Sequence, residues 1–284
     1  MRAIVTGGAS GIGIETVRAL AKAGAQVTVA VRNEAVGNHA AASINAELSE
    51  ARVDSARLDL ADLKSIRSFA TAWGSQPLHF LINNAGIMGG PLERTVDGLE
   101  LNFGVNHLGH ALLFDSLLPN LERAGSSRVI QLSSGAHLRW PVDLEDWNFL
   151  SQPYDAIAAY GRSKTATALS AVVISNRYSS RGIQSYSVMP GVIRTPLFRH
   201  TDEQTEAQIL ARVGSLVKTP EQGAATTVWA AVAPELEGRG GLYLENCAIA
   251  KGATMTPPTG VAPHAQDPEI AEWLWQVSLD AVHG

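Results

Sequence analysis

Ala3-Ile4-Val5-Thr6-Gly7-Gly8-Ala9-Ser10-Gly11-Ile12-Gly13 passes from a β-rich run into a glycine-rich turn. Ile14–Ala23 then repeats apolar residues at helical spacing, so the order is strand, tight turn, helix. Glycines lacking Cβ let the backbone turn sharply and bring its N–H groups close to an anion. The helix N-terminus adds a favourable field. The spacing is Gly-x-x-x-Gly-x-Gly, different from the Gly-x-Gly-x-x-Gly of the commonest dinucleotide fingerprint. Its place at the first strand-to-helix junction makes it a candidate pyrophosphate cradle.

Working outward, the same alternation continues for most of the chain. Further β-rich runs stand at Gln26–Val31, Arg52–Leu58, Leu78–Ile82, Arg128–Leu132, Ile183–Met189 and Gly241–Leu244. Helical spacing recurs at Asp62–Trp73, Leu99–Leu118, Ala158–Tyr178 and Pro220–Ala233. Short apolar strands without polar alternation are buried on both faces, as in a parallel sheet. The expected fold is therefore α/β: a doubly wound, Rossmann-type parallel sheet of about seven strands with helices on both faces. No repeat or low-complexity linker divides the chain, so residues 1–284 read as a single domain. Two segments break the rhythm, Gly135–Ile157 and Thr195–Thr219. Segments leaving the carboxyl ends of strands border the ligand crevice of such sheets. Both are expected substrate walls, the second as a candidate lid.

Composition narrows the function. The 284 residues are 45% hydrophobic and 17% charged, suited to a sizeable core. A net charge of −5, with 22 Lys and Arg dispersed along the chain, gives no basic footprint for nucleic acid or a membrane surface. No apolar run reaches the ~20 residues that span a bilayer, and no signal peptide precedes the first strand, so a cytoplasmic location is expected. Cys247 is the sole cysteine, which excludes an internal disulfide and reads as a small buried hydrophobe. Trp273 and Trp275 read as core or oligomer contacts.

Tyr160-Gly161-Arg162-Ser163-Lys164 carries the chemistry. Residues four apart on a helix share a face, so the phenol and the ammonium come within reach of each other. A tyrosine titrates near ~10, and a positive charge alongside is expected to draw it toward working pH. At the end of the second strand, Ala30-Val31-Arg32-Asn33 has no acid to receive a ribose 2′-hydroxyl. It offers instead an arginine able to pair with a 2′-phosphate. NADP(H) is the expected cofactor in preference to NAD(H). His107 and His110 lack a third ligand at suitable spacing, so no metal is expected. Asp143 and Asp146 read as a solvated acidic loop, and Trp140 and Trp147 as loop packing or flanks of an apolar substrate.

With these residues assembled, the whole chain resembles the short-chain dehydrogenase/reductase family. The resemblance rests on Thr6–Gly13, Asp59-Leu60, Asn83-Asn84-Ala85-Gly86, Asn106, Ser133-Ser134, Tyr160–Lys164 and Pro190-Gly191 with Thr195, in family order. Asp97-Gly-Leu-Glu100 and Val105-Asn-His-Leu-Gly-His110 are most similar to the branch of retinol dehydrogenases and protochlorophyllide reductases. The resemblance implies a catalytic set of Asn106, Ser134, Tyr160 and Lys164. Tyr160 would be the general acid and base, Ser134 (chosen over Ser133) would bond the same oxygen, and Lys164 would hold the nicotinamide ribose. Asn106 would hold a water of a proton relay. The cofactor would meet Gly7, Ser10, Gly11, Ile12, Gly13, Arg32, Asn33, Asp59, Leu60, Asn83, Ala85 and Gly86. Beyond Tyr160 and Lys164 it would also meet Pro190, Gly191, Val192 and Thr195.

The implied activity is that of a carbonyl reductase or alcohol dehydrogenase acting on a mainly apolar ketone, aldehyde or secondary alcohol. Reduction of an activated C=C bond and a non-catalytic dinucleotide-binding sensor or scaffold remain alternatives. Relatives occur as dimers, tetramers and monomers, with the helices carrying Asn106 and Tyr160 as the expected contact.

Overall fold

A computed structural model of the chain describes residues 1–193, 214, 217–255 and 258–284. Its main sheet begins with β1 (Arg2–Thr6), β2 (Gln26–Val31), β3 (Val53–Arg57) and β4 (Phe80–Asn83). It continues with β5 (Ser127–Leu132), β6 (Ile183–Met189), β9 (Tyr243–Glu245) and β10 (Ala248–Ile249). The strand order is β10-β9-β6-β5-β4-β1-β2-β3, parallel except for the β9–β10 pair. Two short pairs lie outside it: β7 (Val192–Ile193) with β8 (Val217–Lys218), and β11 (Thr254–Met255) with β12 (Pro258–Thr259). The order reverses between β1 and β4, so the crevice beyond their carboxyl ends is where ligands of such sheets bind.

Alternate side chains of the central strands feed two cores. Ile4, Leu81 and Val129 face one side, against α3 (Leu63–Trp73), α5 (Gly109–Arg123), α6 (Ala156–Tyr178) and α8 (Pro268–His283). Ala3, Val5, Ile82 and Ile130 face the other, against α1 (Gly11–Lys22), α2 (Glu34–Asn45) and α7 (Pro220–Val232). With both faces covered, β4 and β5 are buried throughout, which is why their sequences do not alternate. Trp275 of α8 is fully buried, whereas Trp273 is 45% exposed on the same helix.

Two expectations need correction. The β9–β10 hairpin extends the expected strand set; its turn places Asn246 and Cys247 at positive φ. Cys247 is therefore exposed at the tip rather than buried. The expected Leu99–Leu118 helix is composite: α4 (Leu101–Phe103), a π-turn at Gly104–Leu108, then α5. Most of the second expected wall, including Thr195, lies outside the described residues. No helix among the described residues is long and apolar enough to cross a membrane.

Candidate active site

β1 delivers the glycine turn. Gly7 and Gly11 have φ of +64° and +54°, which side chains strongly disfavour. A Cβ at Gly13 would overlap the Gly7 carbonyl and come within 2.7 Å of Asn84 Nδ2. Ser10 precedes α1 without a side-chain capping bond, so its hydroxyl and the first amides of the helix remain open to an anion. The turn is braced from β4. Asn84 Nδ2 donates to the Thr6 carbonyl (2.8 Å), and the Asn84 and Ala85 amides donate to Thr6 Oγ1 (3.0 and 2.9 Å).

A cleft of about 800 Å³ opens from this turn. Gly7, Ser10, Gly11, Ile12, Gly13, Arg32, Asn33, Asp59, Leu60, Ala85 and Gly86 line it, continuing to Ser134, Tyr160, Lys164, Pro190, Gly191 and Val192. Arg32 is exposed at the rim with no ion-pair partner among the described residues. Asn33 Oδ1 caps α2 by accepting from the Ala35 and Val36 amides. Asn83 departs from expectation. It does not line the cleft, because its side chain points within the sheet and donates to Gln131 Oε1 at 3.0 Å. Asp59 does not cap α3, since Asp62 accepts from the Lys64 and Ser65 amides.

Opposite the turn, α6 presents Tyr160 and Lys164. Asp155 starts this helix, its carboxylate accepting from the Ile157 and Ala158 amides at 2.8 and 3.0 Å. Tyr160 lines the cleft beside Ser134, whose side chain is close enough to lower the proton affinity of the phenol. Ser133 instead donates to the Lys164 carbonyl at 2.8 Å. Lys164 Nζ donates to the Leu132 carbonyl (2.9 Å) and lies 5.8 Å from the Tyr160 ring centre. Asn106, in the π-turn, accepts from the Ile87 amide at 2.8 Å. Its Nδ2 donates to the Ile87 carbonyl and to Ser163 Oγ, both at 2.9 Å.

The electrostatics differ from the expectation drawn from spacing. Burial raises the Tyr160 pKa, and the neighbouring Ser134 side chain only partly offsets that. Burial also pulls the Lys164 ammonium down to about 8. Desolvation acts on both groups and outweighs their mutual effect.

None of residues 135–157 lines the cleft, contrary to the expected wall. Their polar groups fold the segment onto α4 and α6. Asp146 accepts from the Leu150, Ser151 and Gln152 amides, which holds its carboxyl far below the usual range. Tyr154 donates to Glu100 Oε1 at 3.1 Å. Trp147 stacks on Phe103, and Trp140 packs over Gly161.

Sequence reasoning missed one buried neighbour of the site. His137 is fully buried, and its Nδ1 donates to the Ser134 carbonyl at 2.6 Å. Its Nε2 accepts from the Ala262 amide, tying the C-terminal segment to the serine loop. Nothing marks this histidine in sequence beyond its place three residues after Ser134. His107 and His110 do not converge on a ligand: His107 meets Ser278 and Ser170, and His110 meets Thr6 and the Asn106 carbonyl.

Comparison with known proteins identifies the architecture. Residues 1–206 match the family model for short chain dehydrogenase. A Streptomyces lividans protein named "Probable oxidoreductase" is 44% identical, covering 99% of this chain and 97% of its own. Retinol dehydrogenase 13 of Mus musculus is 39% identical over 99% of this chain and 85% of its own. The Pseudomonas aeruginosa RhlG/NADP active-site complex superposes with a TM-score of 0.69 at 26% identity, covering 86% of this chain and 93% of that one. The chain belongs to the short-chain dehydrogenase/reductase family and is an oxidoreductase of it.

Proposed function

We propose that this oxidoreductase uses NADP(H) to interconvert a mainly apolar ketone or aldehyde and the corresponding alcohol, with Tyr160 as general acid and base. One observation carries the reading: Tyr160, Ser134 and Lys164 line the same cleft as the glycine turn. The open amides at Ser10 and the side-chain-free turn fit a pyrophosphate. Arg32 at the rim, without an ion-pair partner among the described residues, fits a 2′-phosphate. When bound, the nicotinamide supplies or accepts the hydride.

The raised pKa keeps the phenol protonated, so in the reducing direction Tyr160 gives its proton to the carbonyl oxygen. Ser134 donates a hydrogen bond to that oxygen as negative charge develops. The Lys164 ammonium stabilises the phenolate left behind, and Asn106 joins the path that returns a proton. Ile87, Met88, Pro91, Leu101 and Val105 give the cleft an apolar flank. An apolar substrate class also suits the retinol in the mouse relative's name.

The test is NADPH and NADH oxidation with a panel of carbonyl compounds. Tyr160→Phe is expected to lower kcat by at least ~100-fold, with NADPH binding nearly unchanged. Arg32→Asp should move preference from NADPH toward NADH. Cofactor binding without turnover of any compound would favour the non-catalytic alternative, and undiminished Tyr160→Phe activity would remove the phenol from the mechanism.

A further inference from the structure

His110 lies outside the cleft lining, is 3% exposed, and uses both ring nitrogens. Nδ1 stands 3.1 Å from the Asn106 carbonyl, and Nε2 stands 2.9 Å from Thr6 Oγ1. A carbonyl oxygen only accepts, so Nδ1 must carry the hydrogen. In the neutral ring Nε2 is then bare, and the Thr6 hydroxyl donates to it. The Ile82 carbonyl competes for that proton only at 3.4 Å. Burial, together with the charge of Lys164, pulls the imidazole down to about 4 and keeps it neutral.

The Thr6 oxygen, having donated, still accepts from the Asn84 and Ala85 amides that brace the glycine turn. At the far end, the Asn106 amide group is already committed to Ile87 and Ser163. Thr167 Oγ1 lies 3.4 Å from the Asn106 carbonyl but gives its proton to Ser163 O at 2.8 Å. His110 is thus the side chain that fixes this carbonyl in a π-turn, where wider winding turns backbone groups out of their α-helical directions.

We propose that His110 is a positioning residue with two separable tasks: its Nδ1–H holds the Asn106 carbonyl for proton return to Lys164, and its Nε2 holds Thr6 and thereby the floor of the cofactor cleft. The kinetic consequence rests on the reaction proposed above; the tautomer and cofactor binding do not. A side chain that only filled space would affect both ends together.

The experiment replaces one nitrogen at a time. His110→Gln keeps a polar group near Nε2 and abandons Nδ1. It is expected to lower kcat about tenfold, as loss of a buried hydrogen bond does, with the NADPH Kd within about twofold of wild type. His110→Asn keeps a donor near Nδ1 and abandons Nε2. It should recover most of the lost kcat while weakening NADPH binding a few fold. Equal losses in both variants, or wild-type values in His110→Gln, would overturn the proposal. Nitrogen-15 NMR of histidine-labelled wild-type protein reads the same point without turnover or variants. A ring protonated at Nδ1 and not titrating above pH 5 is expected; an Nε2–H ring would refute the assignment. If wild type turns over no substrate, the reaction fails while the tautomer and Kd results still decide the role of His110.

Discussion

At the scale of single residues, a spacing of four brings Tyr160 and Lys164 onto one face, and that much is legible in sequence. Their proton affinities are not, because desolvation depends on what the rest of the chain lays over them. Tyr160 is 6% exposed and Lys164 is 5% exposed. Burial lifts the phenol and lowers the ammonium, so the group that titrates first on the alkaline side is Lys164. Carbonyl reduction needs a protonated phenol and a cationic lysine. The expected kcat/KM profile with NADPH is flat from pH 6 to 7.5 and falls above about pH 8 as Lys164 loses its proton. A rate that stays level to pH 9.5 would show that the ammonium is not what the reaction uses. Between Ser133 and Ser134, too, the difference lies in partners that sequence does not show: Ser133 donates to the α6 backbone.

At the scale of elements, the amphipathic helices and buried strands were legible because their period is a local property. The 135–157 segment announced itself only as a break in that period. What it builds is non-periodic: a carboxylate hub at Asp146 and a phenol-to-carboxylate latch between Tyr154 and the buried Glu100. Its contact with α6 is close enough to test. A Cβ at Gly161 would overlap the Trp140 ring and lie 2.7 Å from Trp140 Cβ. Turning the ring would leave the contact with Trp140 Cβ, an atom that moves only with a backbone whose carbonyl Thr165 Oγ1 holds at 2.7 Å. Gly161→Ala is therefore expected to lower unfolding free energy by about 1–3 kcal/mol through overpacking. It should also slow turnover by shifting the neighbouring Tyr160. Gly252→Ala, whose Cβ would meet open space, should change stability by less than about 0.5 kcal/mol. Equal stabilities in urea titrations of the two variants would mean that Trp140 does not press on the helix.

At the scale of the whole molecule, an order of strands and helices sufficed to foresee a doubly wound sheet, since crossover handedness and two-sided burial leave few alternatives. It could not foresee how the sheet's far ends are joined to the site. Histidines perform much of that joining. His107 links the π-turn to α6 and α8, His110 links it to β1, and His137 links the serine loop to the C-terminal segment. All three are at most 3% exposed, and burial lowers them from 6.5 to about 3, 4 and 4 respectively. Each folded-state value is depressed, so the unfolded chain takes up protons that the folded chain refuses as pH falls below 6.5. Their neutral forms leave stability intact above that value and cost it progressively toward pH 4. With three protons withheld, the slope approaches roughly 4 kcal/mol per pH unit in the middle of that window. Carboxylates held low, such as Asp146, titrate below it and leave the window to the histidines. Urea unfolding followed from pH 7.5 to 4.5 should show a plateau above pH 6.5 and a steep loss beneath it, independent of added cofactor. A stability that held constant down to pH 4.5 would mean that these rings accept protons without giving up their partners, and the joints described here would not be what holds the site together.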